Sequence, residues 1–427
     1  MDEVTIIGGG LAGVEAAHFL ANHRVKVKLY EMRPFVQTGA HHTSFLAELV
    51  CSNSLKSNNI DNACGLLKEE LRKLDSICIK TADENSVPSG QALSVDRDLF
   101  SRKIDEIIRQ NPYISVINEE VTTIPDGVVI IATGPLTSPA LLSNLVSLTG
   151  KEHQHFYDAS APLVEKSSMD MKILYKKDRY DKGDGSYLNA PMSKEQYDKF
   201  YNELIKAKKA MTHDFDVPLF EACKPIEEIA RSGYDALRFG PMKPKGLWRD
   251  KNDRSYAIVQ LRKEDNYEKL YNLVGFQTNL TYSEQKRVFS LIPGLENAKF
   301  VRYGLMHKNI YLNSPSILNE DLSLKANNKI IIAGQLAGVE GYVESMSMGL
   351  LAGVNALFKL RKKPMILPPM ETMIGSLFNY LHLGSKNHFQ PMNANFQILR
   401  NYDKNKKDLL IHNAICAILK YKEEIDE

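Results

Sequence analysis

Two cysteines lie in sequence settings where a thiol could take part in chemistry. Cys51 is in a polar loop that also carries His41, His42 and Lys56, and Cys223 is followed directly by Lys224. A thiol becomes a nucleophile or a base when nearby cations, or the free N–H groups at a helix N-terminus, lower its pKa. A free cysteine is also often a small buried hydrophobic residue, so both interpretations stay open for Cys51 and Cys223.

The other three cysteines, Cys64, Cys78 and Cys416, lie in helical or apolar settings and are predicted to be core residues. The total of five is odd, and the sequence has neither a Cys-x-x-Cys pair nor a metal-ligand spacing. This pattern predicts reduced thiols in a cytoplasmic protein and no metal site.

Residues 302–309 are a second candidate site, because they bring a cation, an aromatic ring, a histidine and an amide close together in sequence. Arg302, His307 and Asn309 could hold a planar, anionic ligand by stacking and hydrogen bonding. The alternative is a structured loop in which His307 has ordinary partners.

Basic runs with nearby aromatic residues are candidate contacts to RNA. Such runs are usually solvated faces, but aromatic residues among cations also suit stacking on unpaired bases. The formal net charge of +2 gives no global basic field, so a nucleic-acid partner would be bound by local patches. The aromatic residues are Tyr187, Trp248 and Tyr256, and the basic runs are 206–209, 243–245, 249–254 and 361–363.

The elements that must position these side chains begin with a Gly-x-Gly-x-x-Gly turn at 8–13, between an apolar strand and an alanine-rich helix. Gly8 allows the tight turn, Gly10 lets the backbone approach a pyrophosphate, and Gly13 lets the helix pack on the strand. Glu31 ends the next predicted strand, where a carboxylate can accept hydrogen bonds from an adenosine ribose. The pattern predicts a dinucleotide site, and the alternative is a plain βαβ unit whose glycines serve packing.

Two later apolar strands, at 128–131 and 330–332, also end in small residues, at Thr133-Gly134 and Gly334-Gln335. Continuous apolar strands predict a buried parallel sheet. A nucleotide domain completed from two distant segments is typical of FAD, whereas an NAD dehydrogenase usually completes it in one block. The predicted fold is α/β, with a Rossmann-like, glutathione-reductase-like FAD-binding domain interrupted by an inserted α+β domain.

The 427-residue chain is therefore divided into four predicted parts. They are the N-terminal half of the FAD-binding domain (1–151), an inserted RNA or substrate domain (152–300), the return of the FAD-binding domain (301–370) and a C-terminal helical segment (371–427). Hydrophobic periodicity predicts helices at about 66–74, 96–109 and 409–422, and strands at 257–261 and 273–278. No signal peptide or membrane-spanning run is predicted, and a monomer is expected.

With these residues in view, the sequence resembles the folate- and FAD-dependent RNA uracil-5-methyltransferase family (TrmFO), including its ribosomal-RNA-methylating paralogues. The resemblance covers nearly the whole chain, and its many separate blocks make it more specific than the glycine-rich turn alone. The blocks are 8–13 with 31–34, 48–56, 220–223, 270–278, 300–304, 333–335 with 339–345, and 391–396.

The resemblance implies a protein that uses FAD, methylenetetrahydrofolate and NADH or NADPH. It also implies a structured RNA substrate, methylated at a T-loop uridine of tRNA or at a uridine of 23S rRNA to give 5-methyluridine. The implied cofactor-binding residues are Gly8, Gly9, Gly10, Leu11, Ala12, Gly13, Glu31, Arg33, Thr133, Gly134, Gly334, Gln335, Gly341, Tyr342 and Val343.

The resemblance further implies that Cys223 is the nucleophile that adds to uracil C6 and that Cys51 is the general base. The folate pterin would stack on the flavin, with His307 as the candidate for its other face and with Arg302 and Asn309 as further folate candidates.

Three positions, Ala190, Ala222 and Lys224, and the segment 243–254 depart from the family pattern, and all lie in the predicted inserted domain. They leave the choice between tRNA and 23S rRNA open. Two other functions are consistent with parts of the pattern: a stand-alone FAD-dependent NAD(P)H oxidoreductase, and a non-catalytic RNA-binding paralogue.

Overall fold

The computed structural model describes residues 3–38, 40–150, 154–159, 161–182, 185–210, 224–250, 252–263, 268–304, 306–384, 389–400 and 402–426. For 154–159, 306–308 and 404 the description covers the backbone alone.

Within these ranges the strands are β1 (Glu3–Ile7), β2 (Lys26–Glu31), β3 (Ser54–Ser57), β4 (Ser86–Val87), β5 (Ala92–Val95), β6 (Ile114–Asn118), β7 (Val128–Ile131), β8 (Gln154–Ala159), β9 (Leu163–Glu165), β10 (Tyr175–Lys176), β11 (Leu188–Met192), β12 (Ala257–Lys263), β13 (Leu270–Leu273), β14 (Phe300–Arg302), β15 (Met306–Tyr311) and β16 (Ile330–Ile332). The helices are α1 (Leu11–Asn22), α2 (Ala63–Lys73), α3 (Ile77–Glu84), α4 (Arg97–Gln110), α5 (Pro139–Thr149), α6 (Lys194–Lys206), α7 (Ile226–Arg231), α8 (Ala236–Phe239), α9 (Tyr282–Phe289), α10 (Ser314–Ile317), α11 (Tyr342–Leu360), α12 (Met373–Leu383) and α13 (Lys407–Asp426).

A parallel five-stranded sheet in the order β16-β7-β1-β2-β6 forms the frame of the first domain. Two of its strands, β7 and β16, are apolar throughout, as expected for strands covered on both faces, and the side chains of Val129, Ile130 and Ile131 are fully buried. β16, from the far end of the chain, pairs with β7. This arrangement confirms the predicted α/β fold with a discontinuous, Rossmann-like domain.

Helices α1 and α11 pack backbone to backbone on this sheet. A Cβ added at Gly349 would lie 2.2 Å from the carbonyl oxygen of Ala12, and one at Gly353 would lie 3.2 Å from the Cα of Ala16. Because only glycine tolerates such close approach, the small residues of α11 fix the C-terminal return of the domain against its N-terminal turn.

The inserted domain is built on an antiparallel six-stranded sheet in the order β10-β11-β12-β13-β9-β14. One face is apolar and packs on α6, α7 and α9, burying residues such as Val259 and Leu273. Because side chains alternate along a strand, the other face carries the polar residues Asn189 and Gln260, which are paired in register, and Arg262 opposite Asn272. This polar face contacts the first domain through Arg262.

The strands through which the chain enters and leaves the inserted part pair with each other. β8 and β15 form a two-stranded antiparallel sheet, with Gln154 opposite Tyr311 and Ala159 opposite Met306. A small sheet in the order β3-β5-β4 lies in the N-terminal half. The chain therefore enters and leaves the insertion through two strands that are hydrogen-bonded to each other.

The C-terminal helices belong to the core of the first domain. Buried residues of α12 and α13, such as Leu377 and Ile418, form one hydrophobic cluster with the residues of the parallel sheet. Glu70 of α2 accepts hydrogen bonds from the backbone N–H groups of Met373 (2.7 Å) and Ile374 (2.9 Å) at the start of α12. Residues 371–427 are therefore packed on the first domain.

Most predicted elements are confirmed, including α2, α4 and α13, but two details are wrong. The strand predicted at 273–278 ends at Leu273, because Gly275 takes a φ of 76° and turns the chain. Cys416 is exposed on α13, although Cys78 is buried as expected and Cys64 is half-buried. The apolar helix pattern did not reveal that Cys416 points away from the core.

Candidate functional site

The glycine-rich turn is held by close contacts between β1, β7 and α1. Gly8 has a φ of 105°, and a Cβ there would lie 2.6 Å from the carbonyl oxygen of Ala132. A Cβ at Gly13 would lie only 1.9 Å from the carbonyl oxygen of Gly8. These two glycines therefore serve the turn and the helix packing, as the sequence pattern predicts.

Gly10 differs from its neighbours because a Cβ there would meet no atom within 4 Å. It lies immediately before α1 and lines an open cleft. The free N–H groups at the start of α1 can bind phosphate oxygens. The space beside Gly10 fits the diphosphate of a dinucleotide, which a side chain would obstruct.

The cleft collects most of the predicted cofactor residues. Gly8, Gly9, Gly10, Leu11, Ala12, Glu31, Arg33, Thr133, Gly134, Gly334, Gln335 and Tyr342 line it, and Gly13, Gly341 and Val343 do not. Gly13 packs on Gly8, a Cβ at Gly341 would touch the Glu344 carboxylate, and Val343 is buried in α11. These three residues therefore pack beside lining residues and are not themselves exposed to the cleft.

Glu31 and Arg33 form a buried charged group at one end of the cleft. Glu31 Oε2 accepts a hydrogen bond from Gly9 N (3.0 Å), and Arg33 Nε donates to Glu31 Oε1 (2.9 Å). Arg33 also contacts Glu48 through Nη1 (3.1 Å). Burial alone would raise the pKa of Glu31. The hydrogen bonds and the positive charge of Arg33 outweigh this effect, so the pKa of Glu31 is lowered. Glu31 is thus a fixed anion in the wall of the cleft.

Several lining residues are absent from the sequence-based candidates. They lie in the loops after β2, β6 and β7, where the spacing of residue types does not indicate which side chains face the cleft. Burial and the charge of Arg33 lower the pKa of His41 to about 4, so its imidazole is neutral at physiological pH. Glu48 stands inside a resemblance block and could have been noticed as a partner for Arg33. The additional lining residues include Thr38, His41, Glu48, Val50, Glu119, Glu120, Val121, Leu136 and Ser138.

Cys51 stands next to this cleft and is half-buried. The hydroxyl oxygen of Tyr342, a lining residue, accepts hydrogen bonds from the backbone N–H groups of Cys51 (2.7 Å) and Ser52 (3.1 Å). Burial raises the pKa of Tyr342, so the phenol stays protonated. Val50, the preceding residue, also lines the cleft. The thiol-bearing loop is therefore anchored to the cleft wall.

The loop after Cys51 is also bound by the inserted domain. Arg262 Nη2 donates to Ser52 Oγ (2.7 Å), and Arg262 Nε donates to Asn53 Oδ1 (3.1 Å). Asn53 Nδ2 in turn donates to the carbonyl oxygens of Val95 (3.0 Å) and Lys263 (3.0 Å). Both domains thus determine where Cys51 stands.

We expect Arg262→Met to lower kcat of the reaction in which the Cys51 loop takes part by about 10- to 100-fold, since displacing a reacting group by about 1 Å has effects of this size. The KM for the substrate should change much less, because Arg262 is committed to Ser52 and Asn53. Steady-state kinetics would measure both. Arg238→Met is the matched control, because Arg238 lies over the ring of Tyr256 (3.6 Å) in the same domain. Equal effects of the two substitutions would contradict a positioning role.

A second cavity opens where the two domains meet. It is lined by His42 and Arg97 of the first domain and by Leu163, Leu270 and Arg302 around the inserted sheet. Burial and the nearby charge of Arg302 lower the pKa of His42. Asn309 is buried in β15. The backbone of His307 also lies in β15, but its side chain is outside the described residues.

Cys223 lies outside the described residues, and only the ends of its segment can be placed. Ile226 N donates to the carbonyl oxygen of Gln277 (2.7 Å), and Ala210 N donates to that of Asn279 (2.7 Å). The chain therefore leaves and re-enters the described structure beside one stretch of backbone.

Ala190, which departs from the family pattern, cannot contact RNA directly, because it is fully buried in the core of the inserted domain.

Two of the basic runs of the inserted domain make contacts within the domain. The guanidinium of Arg249 lies over the ring of Tyr175 (4.6 Å), and Arg179 donates to the carbonyl oxygens of Lys243 (3.1 Å) and Lys245 (2.6 Å). Of the aromatic residues near these runs, Trp248 is exposed, whereas Arg238 covers Tyr256.

Across the described ranges, no group of three or more His, Cys, Asp or Glu side chains could hold a metal ion. In the same part of the chain no helix is both long and apolar enough to cross a bilayer.

The discontinuous parallel sheet, the glycine-rich turn and the cleft define a Rossmann-like protein of the FAD-binding class. Two crystal forms of GidA from Aquifex aeolicus share this fold, with TM-scores of 0.72 and 0.74 at 18% identity. The alignments cover 99% of this chain and 73% and 76% of those chains. At that identity the likeness shows the fold alone.

Sequence comparison then gives the family. A family model described as glucose inhibited division protein A matches residues 3–364. A Listeria monocytogenes protein is 51% identical over 432 residues, covering 99% of both chains, and a Bacillus velezensis protein is 52% identical over 410 residues, covering 95% of this chain and 94% of its own. Both are named methylenetetrahydrofolate–tRNA-(uracil-5-)-methyltransferase TrmFO. The chain belongs to this family, as its sequence blocks predict.

Proposed function

We propose that this chain methylates C5 of a uridine in tRNA, with methylenetetrahydrofolate as the carbon donor and with FAD bound in the cleft. The observation that carries the proposal is the contact of Tyr342 with the backbone of Cys51, which brings a thiol-bearing loop to the wall of the cleft. Relatives that match nearly the whole chain are named for this reaction.

The cleft residues fit FAD. The open space at Gly10 and the start of α1 would accept the diphosphate, and the anionic Glu31 would accept hydrogen bonds from the adenosine ribose. Thr133-Gly134 and Gly334-Gln335 would line the path toward the flavin. When bound and reduced, FAD supplies the hydride that completes the methyl group.

In the proposed mechanism Cys223 acts before the one-carbon unit is transferred, and Cys51 acts after the transfer. The Cys223 thiolate adds to uracil C6, which converts the C4–C5 region into an enolate. C5 of this enolate attacks the methylene carbon of the folate, and the first of the two folate C–N bonds breaks with its electron pair going to nitrogen. The Cys51 thiolate then removes the C5 proton, and the second C–N bond breaks in the same way, which leaves an exocyclic methylene on C5. Hydride addition to this methylene completes the methyl group, and expulsion of the Cys223 thiolate restores the C5–C6 double bond.

The folate would bind where the two domains meet. Arg302 lines the cavity there, and its guanidinium suits an anionic group of the folate. His307 remains the candidate for the outer face of the pterin, and Asn309 is the third folate candidate. NADH or NADPH would reduce the flavin. We also propose that the protein acts in the cytoplasm as a monomer.

The RNA target is tested by mapping 5-methyluridine in tRNA and 23S rRNA from cells with and without this protein. We expect the T-loop uridine of tRNA to lose its methyl group when the protein is absent. Loss of a mark from 23S rRNA alone would reassign the substrate to ribosomal RNA, while keeping the chemistry. Retention of every mark would contradict both RNA assignments and would favour a stand-alone NAD(P)H oxidoreductase or a non-catalytic RNA-binding protein.

A further inference from the structure

Four aromatic rings form a row that runs from the core of the inserted domain to its surface. The row consists of Phe289, Phe300, Tyr303 and Tyr282, in that order. Successive ring centroids are 6.5, 5.5 and 4.9 Å apart, with interplanar angles of 37°, 10° and 16°. Phe289 is fully buried, whereas Tyr282 is 53% exposed. The last three rings are nearly parallel, and the row ends in an exposed ring.

Stacking on Tyr303 fixes the orientation of the Tyr282 ring. Offset parallel stacking of aromatic rings is favourable, and here one face of Tyr282 is occupied by Tyr303. Tyr282 is also the first residue of α9, which ends in the buried Phe289. Because the ring is already ordered, the Tyr282 side chain would lose little further conformational entropy when a planar ligand stacks on its outer face.

The row stands beside the anchors of the Cys223 segment. Ile226 N bonds to Gln277 O (2.7 Å), and Thr281 N, just before Tyr282, bonds to Lys208 O (3.0 Å). Cys223 is three residues before Ile226 in the sequence. The described residues on both sides of the segment 211–223 are thus bound to the stretch 277–281, which leads directly into Tyr282.

The row is also tied to the folate-candidate segment. Gln285 of α9 accepts a hydrogen bond from Gly304 N (2.8 Å) and donates one to Gly304 O (2.9 Å). Tyr303 directly follows the folate candidate Arg302. One helix thus carries the exposed ring and holds the strand connection that leads to His307.

Cations flank the exposed ring. Lys286 is exposed and lies four residues after Tyr282 on α9, so the two side chains share a helix face. Lys208 is exposed, and its carbonyl is bonded to the N-cap residue Thr281. Arg287, in contrast, is held by Glu203 and Glu284. An exposed ring with one lysine on its own helix face and another whose backbone is bonded at the helix start suits a base and its phosphates.

We propose that Tyr282 is the stacking platform for an unpaired base of the RNA substrate, next to the uridine that is methylated. A uridine that leaves its helix to be modified also leaves its neighbours unstacked, and an ordered ring replaces part of the lost stacking. The inference rests on the proposed function, because it requires an RNA substrate.

The test uses the full-length, FAD-loaded protein and a tRNA transcript. Tyr282→Ala is expected to weaken RNA binding by about 5- to 100-fold, the range for loss of one base–aromatic stack. Tyr282→Phe and Tyr282→Trp should bind RNA within about threefold of the wild type, since both keep a stacking face. Tyr113→Ala, at an exposed tyrosine of the first domain, is the matched control.

A merely structural role predicts a different pattern. In that case Tyr282→Ala would lower Tm and FAD content, and Tyr282→Trp would be as defective as alanine. We expect unchanged FAD content and unchanged NAD(P)H oxidation without RNA. Wild-type-like RNA binding by Tyr282→Ala, or equally weak binding by the tryptophan variant, overturns the inference alone. Absence of RNA binding by the wild type overturns the proposed function and the inference together.

Discussion

Cys223→Ala is expected to abolish methylation and the covalent adduct with 5-fluorouridine RNA, whereas Cys51→Ala should abolish turnover but retain the adduct. The difference arises because the adduct needs addition at C6, while the base acts later, on a C5 proton that fluorine replaces. We expect about 10⁴-fold loss for the nucleophile and about 10²- to 10⁴-fold loss for the base. Denaturing electrophoresis of the protein with labelled RNA measures the adduct.

The chain supplies its own thiol control. Cys416 is exposed on the last helix, with its sulfur 3.6 Å from Nε2 of His412, and it is packed on neither the cleft nor the inserted sheet. Cys416→Ala should keep both activities. An adduct that survives in Cys223→Ala but disappears in Cys51→Ala would exchange the two assigned roles.

Gly10→Val and Gly13→Ala should separate cofactor binding from folding. A Cβ at Gly10 meets no protein atom within 4 Å, and Gly10 lines the cleft, so the variant should fold but lose FAD. We expect FAD to bind about 10- to 100-fold more weakly, which corresponds to about 1–3 kcal/mol of steric cost. Flavin absorbance per polypeptide, together with Tm, measures the two effects.

Gly13→Ala is the counterpart in the same turn. Its Cβ would lie 1.9 Å from the carbonyl oxygen of Gly8, so the turn and α1 must shift and the free energy of unfolding should fall by about 1–3 kcal/mol or more. A lower Tm is therefore expected for Gly13→Ala, and a nearly unchanged Tm for Gly10→Val. If Gly10→Val retained full FAD content, the position of the diphosphate would have to be revised.

The first domain could be predicted from the sequence because its signals are local. The apolar runs at β1, β7 and β16 predict buried parallel strands, and the glycine spacing at 8–13 predicts the turn. The return of β16 to the same sheet followed from its repeated pattern of strand, glycine exit and helix.

The site depends on contacts that no local pattern contains. Arg262 reaches Ser52 and Asn53 across more than two hundred residues of chain, and the Tyr342 hydroxyl binds the backbone of Cys51. The polar face of the inserted sheet follows from pairing register, which alternation in one strand does not specify. The error at Leu273 has a similar origin, because the turn at Gly275 interrupts an apolar run that reads as a strand.

Carbon transfer from a labelled folate tests the central claim most directly. The purified protein would be incubated with methylenetetrahydrofolate labelled in its methylene carbon, NADH or NADPH, and unmodified tRNA, without S-adenosylmethionine. We predict that the label appears in the C5 methyl group of one uridine and that NAD(P)H consumption rises when RNA and folate are both present. Unlabelled RNA, with NAD(P)H oxidised at the same rate whether or not RNA and folate are added, would contradict the proposal.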